Sequence, residues 1–342
     1  MGQKKETPPP EFRLPPDQAE GVIEERLRSY QLAKESTLAI LPHLYDSNIY
    51  EKKHAPKIEE CGTWLRFNHY YTVDQTRLTA SNFCRKHLLC DLCALRKSAL
   101  RVQVFIPKLQ QLLLEDPDLE AYLVTFTVKN EDDLLERYLH LVSNFRKLVK
   151  KRHNAITLGR KNTVMRFVAG GTMQVEIKIG EGSGQWHCHI HSIFLIKKGL
   201  FTLHRLVRKN KYVRVPLDFE NQLRQEWSAS TKDSHMVDVR KIEIEDDEDR
   251  FGAICEAHKY ALKPGNMTPQ QRIQAAHEMY GRQMYSTFGN LYGLKINPDL
   301  TDDIESELEL LPYIQLTYHY NNKGYILREV IDGEILSNVS GL

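Results

Sequence analysis

Four cysteines, Cys61, Cys84, Cys90 and Cys93, follow one another as C-x22-C-x5-C-x2-C, with His87 inside the run. Zinc takes thiolate or imidazole ligands at four tetrahedral corners, and a CxxC pair offers two of them from one tight turn. Four thiolates close the coordination sphere, so the ion expected here is a structural Zn²⁺. His87 is an alternative to one of the cysteines, most readily to the remote Cys61. The competing reading is buried thiols that bind nothing. It suits a lone CxxC better than four clustered cysteines followed by the basic Arg96, Lys97 and Arg101.

A second constellation lies in QWHCHIHSIFLI, where His187, His189 and His191 alternate with Cys188 and Ile190. Residues two apart in a strand face the same side of a sheet, so this spacing lines one face with imidazoles. Glu176, on the preceding segment VEIKI, pairs back across the GEGSG turn and is the candidate carboxylate ligand. Two imidazoles and a carboxylate leave positions open for a substrate oxygen, which suits Mn²⁺ or Mg²⁺ acting as a Lewis acid. His189 and His191 are favoured as the pair because the apolar run follows them directly, with His187 as the further possibility.

The third is AICEAHKYALKP, in which a helix over 254–262 would set Glu256 and Tyr260 on one face. A phenol with its ordinary pKa of about 10 is a poor nucleophile. A catalytic tyrosine therefore needs a polarised phosphate or a nearby cation, and Lys259 and Lys263 are close in sequence. Taken alone, E-x-x-x-Y is commonplace helix patterning.

These residues need elements to hold them. The proline-rich tail 1–18 is expected to be disordered, and residues 19–55 show near-helical apolar spacing. Residues 56–114 carry the cysteines and a helix over 94–114 through Pro107. The period then changes. AYLVTFTVKN, VMRFVAGGTMQVEIKI, HCHIHSIFLI and MVDVRKIEI read as strands, with Gly170 and Gly171 marking a bulge or bend. Helices are expected over 131–152, 217–227, 254–262 and 269–280. The whole is an α+β fold, an antiparallel sheet with packed helices of the ferredoxin-like kind over 115–295. Residues 296–342 form a C-terminal hairpin extension turning at Asn321–Gly324.

Composition sets the setting. The 342 residues are 41% hydrophobic, enough for a sizeable core, and Lys+Arg 47 against Asp+Glu 45 leaves a net charge of only +2. No apolar run approaches the roughly 20 residues of a membrane span. The opening MGQKKETPPP has no signal-peptide core, and Glu6 stands where a myristoylation motif wants Ser or Thr. A cytoplasmic chain with reduced thiols and no membrane partner is expected. The charges are not evenly spread. Arg146–Lys161 and Lys197–Arg214 each hold seven basic residues and no acid, whereas acids gather at Glu243–Asp249 and Asp302–Glu309, read as surface loops. Such basic runs contact phosphates, and Lys147, Lys150, Lys151, Arg152, Lys259 and Lys263 are the candidate DNA-binding residues.

Together the motifs resemble a known family. TFTVKN, HIHSIFLI and ICEAHKYALK are similar, in this order, to the three motifs of the plasmid rolling-circle replication initiators with one catalytic tyrosine, within the His-hydrophobe-His (HUH) endonuclease superfamily. FCRKHLLCDLCALRKS resembles the segment that precedes them, and the likeness runs from about Cys61 to Leu294. It implies an HUH endonuclease domain with His189 and His191 as the metal pair, Tyr260 as nucleophile and Glu256 as activator of water at termination. It also implies origin DNA, single-stranded or supercoiled, as substrate, and a host helicase and polymerase as partners. A relaxase or transposase shares the chemistry, but a relaxase typically carries its tyrosine before the histidines. A non-enzymatic zinc-dependent DNA-binding regulator would leave the three histidines unused.

Overall fold

The computed structural model describes residues 16–47, 50–258, 261–262 and 267–333. The tail before residue 16, the segment after residue 333, and Lys259, Tyr260 and Lys263 lie outside them.

The helices are α1 Pro16–Asp46, α2 Ala55–Glu60, α3 Asp91–Glu115, α4 Leu134–Leu158, α5 Leu217–Thr231, α6 Asp247–Ala257 and α7 Pro269–Glu278. The strands are β1 Trp64–Tyr70, β2 Gln75–Ser81, β3 Leu119–Thr127, β4 Val168–Ile179, β5 Trp186–Lys197, β6 His204–Arg208, β7 Lys211–Val215, β8 Val237–Lys241, β9 Tyr285–Gly289, β10 Tyr313–Tyr320 and β11 Tyr325–Gly333. The chain is thus a mixed α and β protein with antiparallel sheets, as composition and period indicate.

The central sheet has five strands in the order β8-β3-β5-β4-β9, every pair antiparallel. Alternation along each strand divides its residues cleanly between two faces. Tyr122, Val124 and Phe126 of β3, Val175 and Ile177 of β4, and Cys188 and Ile190 of β5 join the core beneath α4 and α5. There Phe126 meets Phe145 and Trp227 with ring centroids 5.4 and 5.0 Å apart. On the other face, Ala121, Leu123, Ile193 and Leu195 pack with Phe105 of α3 and with Ile254 and Ala257 of α6. The histidines share this second face. The bulge expected at the paired glycines is present as a register shift between Val168 and Gly170. A side chain on Gly171 would strike the carbonyl of Ile193 at 2.7 Å.

A second sheet of four strands, β11-β10-β1-β2, packs with α1 and α2 around the cysteines. The predicted hairpin forms, with Asn321 N–H donating to the Gly324 carbonyl, and its first strand pairs along β1, from Trp64↔His319 to His69↔Ile314. Three elements have no counterpart in the sequence reading: the β1–β2 hairpin, the β6–β7 hairpin inside the second basic run, and β9. β2, β6, β7 and β9 are short and mostly polar or half-buried, so their apolar alternation is weak, while buried β1 mixes Arg66, Asn68 and His69 among its apolar residues.

Two expectations are corrected. The helix expected over 254–262 instead runs Asp247–Ala257. Beyond the helix, Ala261 and Leu262 bridge Ile177 of β4, so the chain there serves the sheet and does not continue the helix. Asp302, read as a surface acid, is 4% exposed. It accepts hydrogen bonds from Arg26 at 2.6 Å, Arg96 at 2.8 Å and Leu78 N–H at 2.7 Å, tying α1, α3 and β2 together. Burial opposes its charge, but Arg96 and Arg26 bring its pKa to about 2. With a folded pKa below the unfolded value of about 3.9, this network stabilises the fold above pH 4 and is lost as the pH falls towards 2. Asp302→Ala should cost about 3–5 kcal/mol, because it leaves the buried Arg96 without its carboxylate. Denaturant titrations at pH 7 and pH 3 check both the loss and its shrinkage in acid.

Candidate functional site

The four cysteines come together from separate elements. Cys61 caps the C-terminus of α2, Cys84 follows β2, Cys90 is the N-cap of α3, and Cys93 lies in the first turn of α3. Sγ–Sγ separations are 3.5 Å for Cys61–Cys93 and 3.6 Å for both Cys84–Cys93 and Cys61–Cys90. Zn–S bonds of about 2.3 Å put tetrahedral sulfurs roughly 3.8 Å apart, whereas a disulfide would need about 2 Å. The spacing fits an ion and not a bridge. Surrounding donors match negative sulfur: Cys84 N–H points at Cys61 Sγ at 3.3 Å, Lys86 N–H at Cys84 Sγ at 3.5 Å, and the N-terminus of α3 faces the cluster. Hydrogen bonds from Cys61 and Cys84 pull the Cys90 thiol well below its ordinary pKa. Lys34, 1% exposed, holds the carbonyls of Glu59 and Cys61 and sets a buried cation beside the sulfurs. His87 is turned away, 3.1 Å from Lys97 Nζ.

The second cluster is built on β4 and β5. Glu176 sits opposite His189 in register, and one carboxylate oxygen, Oε2, lies 2.9 Å from His189 Nε2 and 2.8 Å from His191 Nε2. All three residues are at most 5% exposed. Burial works against the charge of Glu176, but the hydrogen bonds from the two imidazoles hold its pKa well below the usual carboxylate range. Burial lowers the pKa of His189 as well. His189 Nδ1 is buried without a hydrogen-bond partner, while His191 Nδ1 meets Thr125 Oγ1 at 3.2 Å. Two nitrogens and a carboxylate oxygen converging here are compatible with a divalent ion. His187 stands beside them but gives its Nδ1 to Asn130 Oδ1 at 2.7 Å, outside the converging group.

Glu256, in the last turn of α6, reaches this cluster, with Oε1 3.9 Å from His191 Nδ1. Just beyond Tyr260 the chain returns to the same strand: Ile177 N–H donates to the Ala261 carbonyl at 2.9 Å, and Ile177 bridges Leu262. Glu256, before Tyr260 in the chain, thus meets His191, and Ala261, after it, meets the Glu176 strand.

Of the described basic candidates, Lys147 and Lys150 are exposed on α4. Lys151 pairs with Glu226 at 3.2 Å, and Arg152 is spent on the carbonyls of Val168 and Ala169. The sequence reading missed Gln174, which faces His191 in register, and Arg101 of α3, which hydrogen-bonds it. Period-two alternation backwards from Glu176 would have found Gln174. No local signal points to Arg101.

The model of the Replication protein family matches residues 75–324, well over half of the chain, and takes in every residue of both clusters except Cys61. The chain belongs to this family. Its relatives include the "Protein rep" of Streptococcus pneumoniae, 25% identical over 243 residues that cover 69% of each chain. The "Protein rep" of Staphylococcus aureus is 25% identical over 42% of this chain and 59% of its own, and that of Lactiplantibacillus plantarum is 27% identical over 45% of each. No solved structure matches. The resemblance to plasmid rolling-circle initiators therefore stands at the level of the Rep family, and a replication initiator is the role it carries. No described helix of this Rep protein is long and apolar enough to cross a membrane.

Proposed function

We propose that this Rep protein starts rolling-circle replication as a single-tyrosine HUH endonuclease, nicking one strand of its origin. The observation that carries the reading is the convergence of His189 and His191 on one oxygen of Glu176, with Glu256 3.9 Å from His191. The order β8-β3-β5-β4 with α4 and α5 on one face supports a ferredoxin-like core, since it is the split βαβ arrangement. This core would be the endonuclease domain over 115–295, with the zinc segment over 56–114 before it and the hairpin extension over 296–342 behind it.

Glu176, His189 and His191 would hold Mn²⁺ or Mg²⁺, which when bound polarises a phosphate oxygen. The four cysteines would hold Zn²⁺ as a structural ion. Tyr260 Oη would form the new bond to phosphorus as the bond to the 3′ oxygen breaks, its proton passing to solvent and the leaving oxygen taking one up, to give a 5′-phosphotyrosine and a free 3′-hydroxyl primer. At termination Glu256 takes a proton from water for the second cleavage, so no second tyrosine is needed. Cytoplasmic origin DNA, and the host helicase and polymerase that would extend the primer, are the implied partners. The exposed Lys147 and Lys150, and the β6–β7 hairpin with Arg205 stacked 4.2 Å over the Tyr212 ring, offer phosphate contacts.

Incubation with Mn²⁺ and single-stranded origin DNA should give a covalent protein–DNA band resistant to detergent. Tyr260→Phe should abolish it, and Glu256→Ala should keep the first nick while impairing termination. A covalent band from Tyr260→Phe would overturn the assignment, and binding with no band from the unaltered protein would make it a regulator.

A further inference from the structure

Between the start of α3, α7 and β9 lies a cavity of about 810 Å³, inside the roughly 300–1,000 Å³ range of small-ligand sites. Its lining includes cations from three parts of the chain, Lys97 and Arg101, Arg282, and Lys295, and among the described residues contains no carboxylate. Arg101 decides what this means. It is 8% exposed, and among the described residues its guanidinium meets only the neutral Gln174 amide oxygen and the face of Tyr285, 4.3 Å from the ring centroid. Lys97, one helical turn earlier, faces the ring of His87. Two like charges at i and i+4 repel, and a buried charge without a counter-ion is costly. An arrangement kept at that cost is complete only when an anion enters.

The lining also carries apolar side chains, among them Leu88, Met279, Met284 and Ile296. The ligand must therefore carry both a negative group and a flat or apolar body. Arg101 also fixes the direction of the cavity, because Gln174 lies across from His191 on the central sheet.

We infer that this cavity is a nucleoside phosphate site, with the phosphate held between Lys97 and Arg101 and the base laid against the methionines and Tyr285. Bases pack on aromatic and apolar side chains without demanding one sequence. The nucleotide comes either from the DNA strand that reaches the Glu176 cluster or from free nucleotide. The first source rests on the nicking reading and the second does not.

The full chain is titrated calorimetrically with the four deoxynucleoside 5′-monophosphates, with thymidine and with inorganic phosphate. At least one monophosphate should bind about tenfold or more tighter than thymidine or phosphate alone. Arg101→Gln should weaken it about tenfold or more, as loss of a charge-assisted contact does. Lys295→Glu, at an exposed rim position, should weaken it a few-fold with an unchanged melting temperature. Displacement by a twelve-residue single-stranded oligonucleotide assigns the site to the strand, and retention assigns it to free nucleotide. Monophosphates binding no better than phosphate or thymidine, or binding equally to both variants, would overturn the site. The covalent-adduct assay on the same samples reads the nicking separately: an adduct without monophosphate binding removes the cavity alone, and the converse removes the nicking alone.

Discussion

Glu176→Gln should abolish Mn²⁺-dependent nicking while leaving the protein folded. The amide keeps the shape of the carboxylate and can still exchange hydrogen bonds with His189 and His191, so the sheet that carries it has no reason to open. What disappears is the negative charge, in a group only 4% exposed where water cannot replace it. Partners that merely orient a metal ligand commonly change affinity or activity about 10–100-fold. Loss of the carboxylate on which both imidazoles converge should cost more, at least about 100-fold in both nicking rate and Mn²⁺ affinity. Electron paramagnetic titration of Mn²⁺ alongside the nicking assay measures the two together. A variant that keeps Mn²⁺ affinity would make Glu176 an orienting partner of the histidines and not a ligand. Glu176→Ala is the less informative change, since it also leaves a cavity and two imidazoles without their acceptor.

On the proposal that the four cysteines hold zinc, Cys90→Ser should abolish zinc binding and lower stability by more than about 4 kcal/mol, the range in which loss of a structural metal falls. In melting temperature that is roughly 6 °C or more for a chain of this size. The effect should be large because the cluster sits inside the core. Cys61, Cys90 and Cys93 are fully buried, and the ion pair of Asp91 with Arg272 anchors α7 to the same turn. Removing the ion would leave Lys34 buried beside sulfurs that no longer carry their charge. Metal analysis should give one zinc per chain in the unaltered protein and none in Cys90→Ser. Cys255→Ser, at a cysteine outside both clusters, should retain it. A full zinc content in Cys90→Ser would show that three sulfurs suffice.

The histidine row shows why part of the site could be read directly from the chain. Alternation in a strand is set by local backbone geometry, so His189 and His191 had to share a face once the segment was extended, and Glu176 had to lie nearby once GEGSG closed a hairpin. The CxxC of Cys90 and Cys93 is equally local. The helix at Glu256 was misread for a complementary reason: its apolar residues fix a helical period, but its ends depend on what surrounds it, and α6 stops at Ala257. Asp302 was misread because burial of an acid is invisible until Arg26 and Arg96 are seen to surround it.

The amino-acid sequence by itself determined β3, β4, β5 and β8 of the central sheet and marked the His189–His191 and Cys90–Cys93 pairs as candidate ligands, because each rests on residues a few positions apart. Tertiary structure alone decided that β10 pairs with β1 from the far end of the chain and that Cys61 meets Cys93. Packing likewise brought Glu256 beside His191 and left Arg101 buried without a carboxylate. Those contacts join segments whose local preferences carry no mark of one another. They exist because burying the two faces of the sheet at once leaves α3 and α6 only one place to pack.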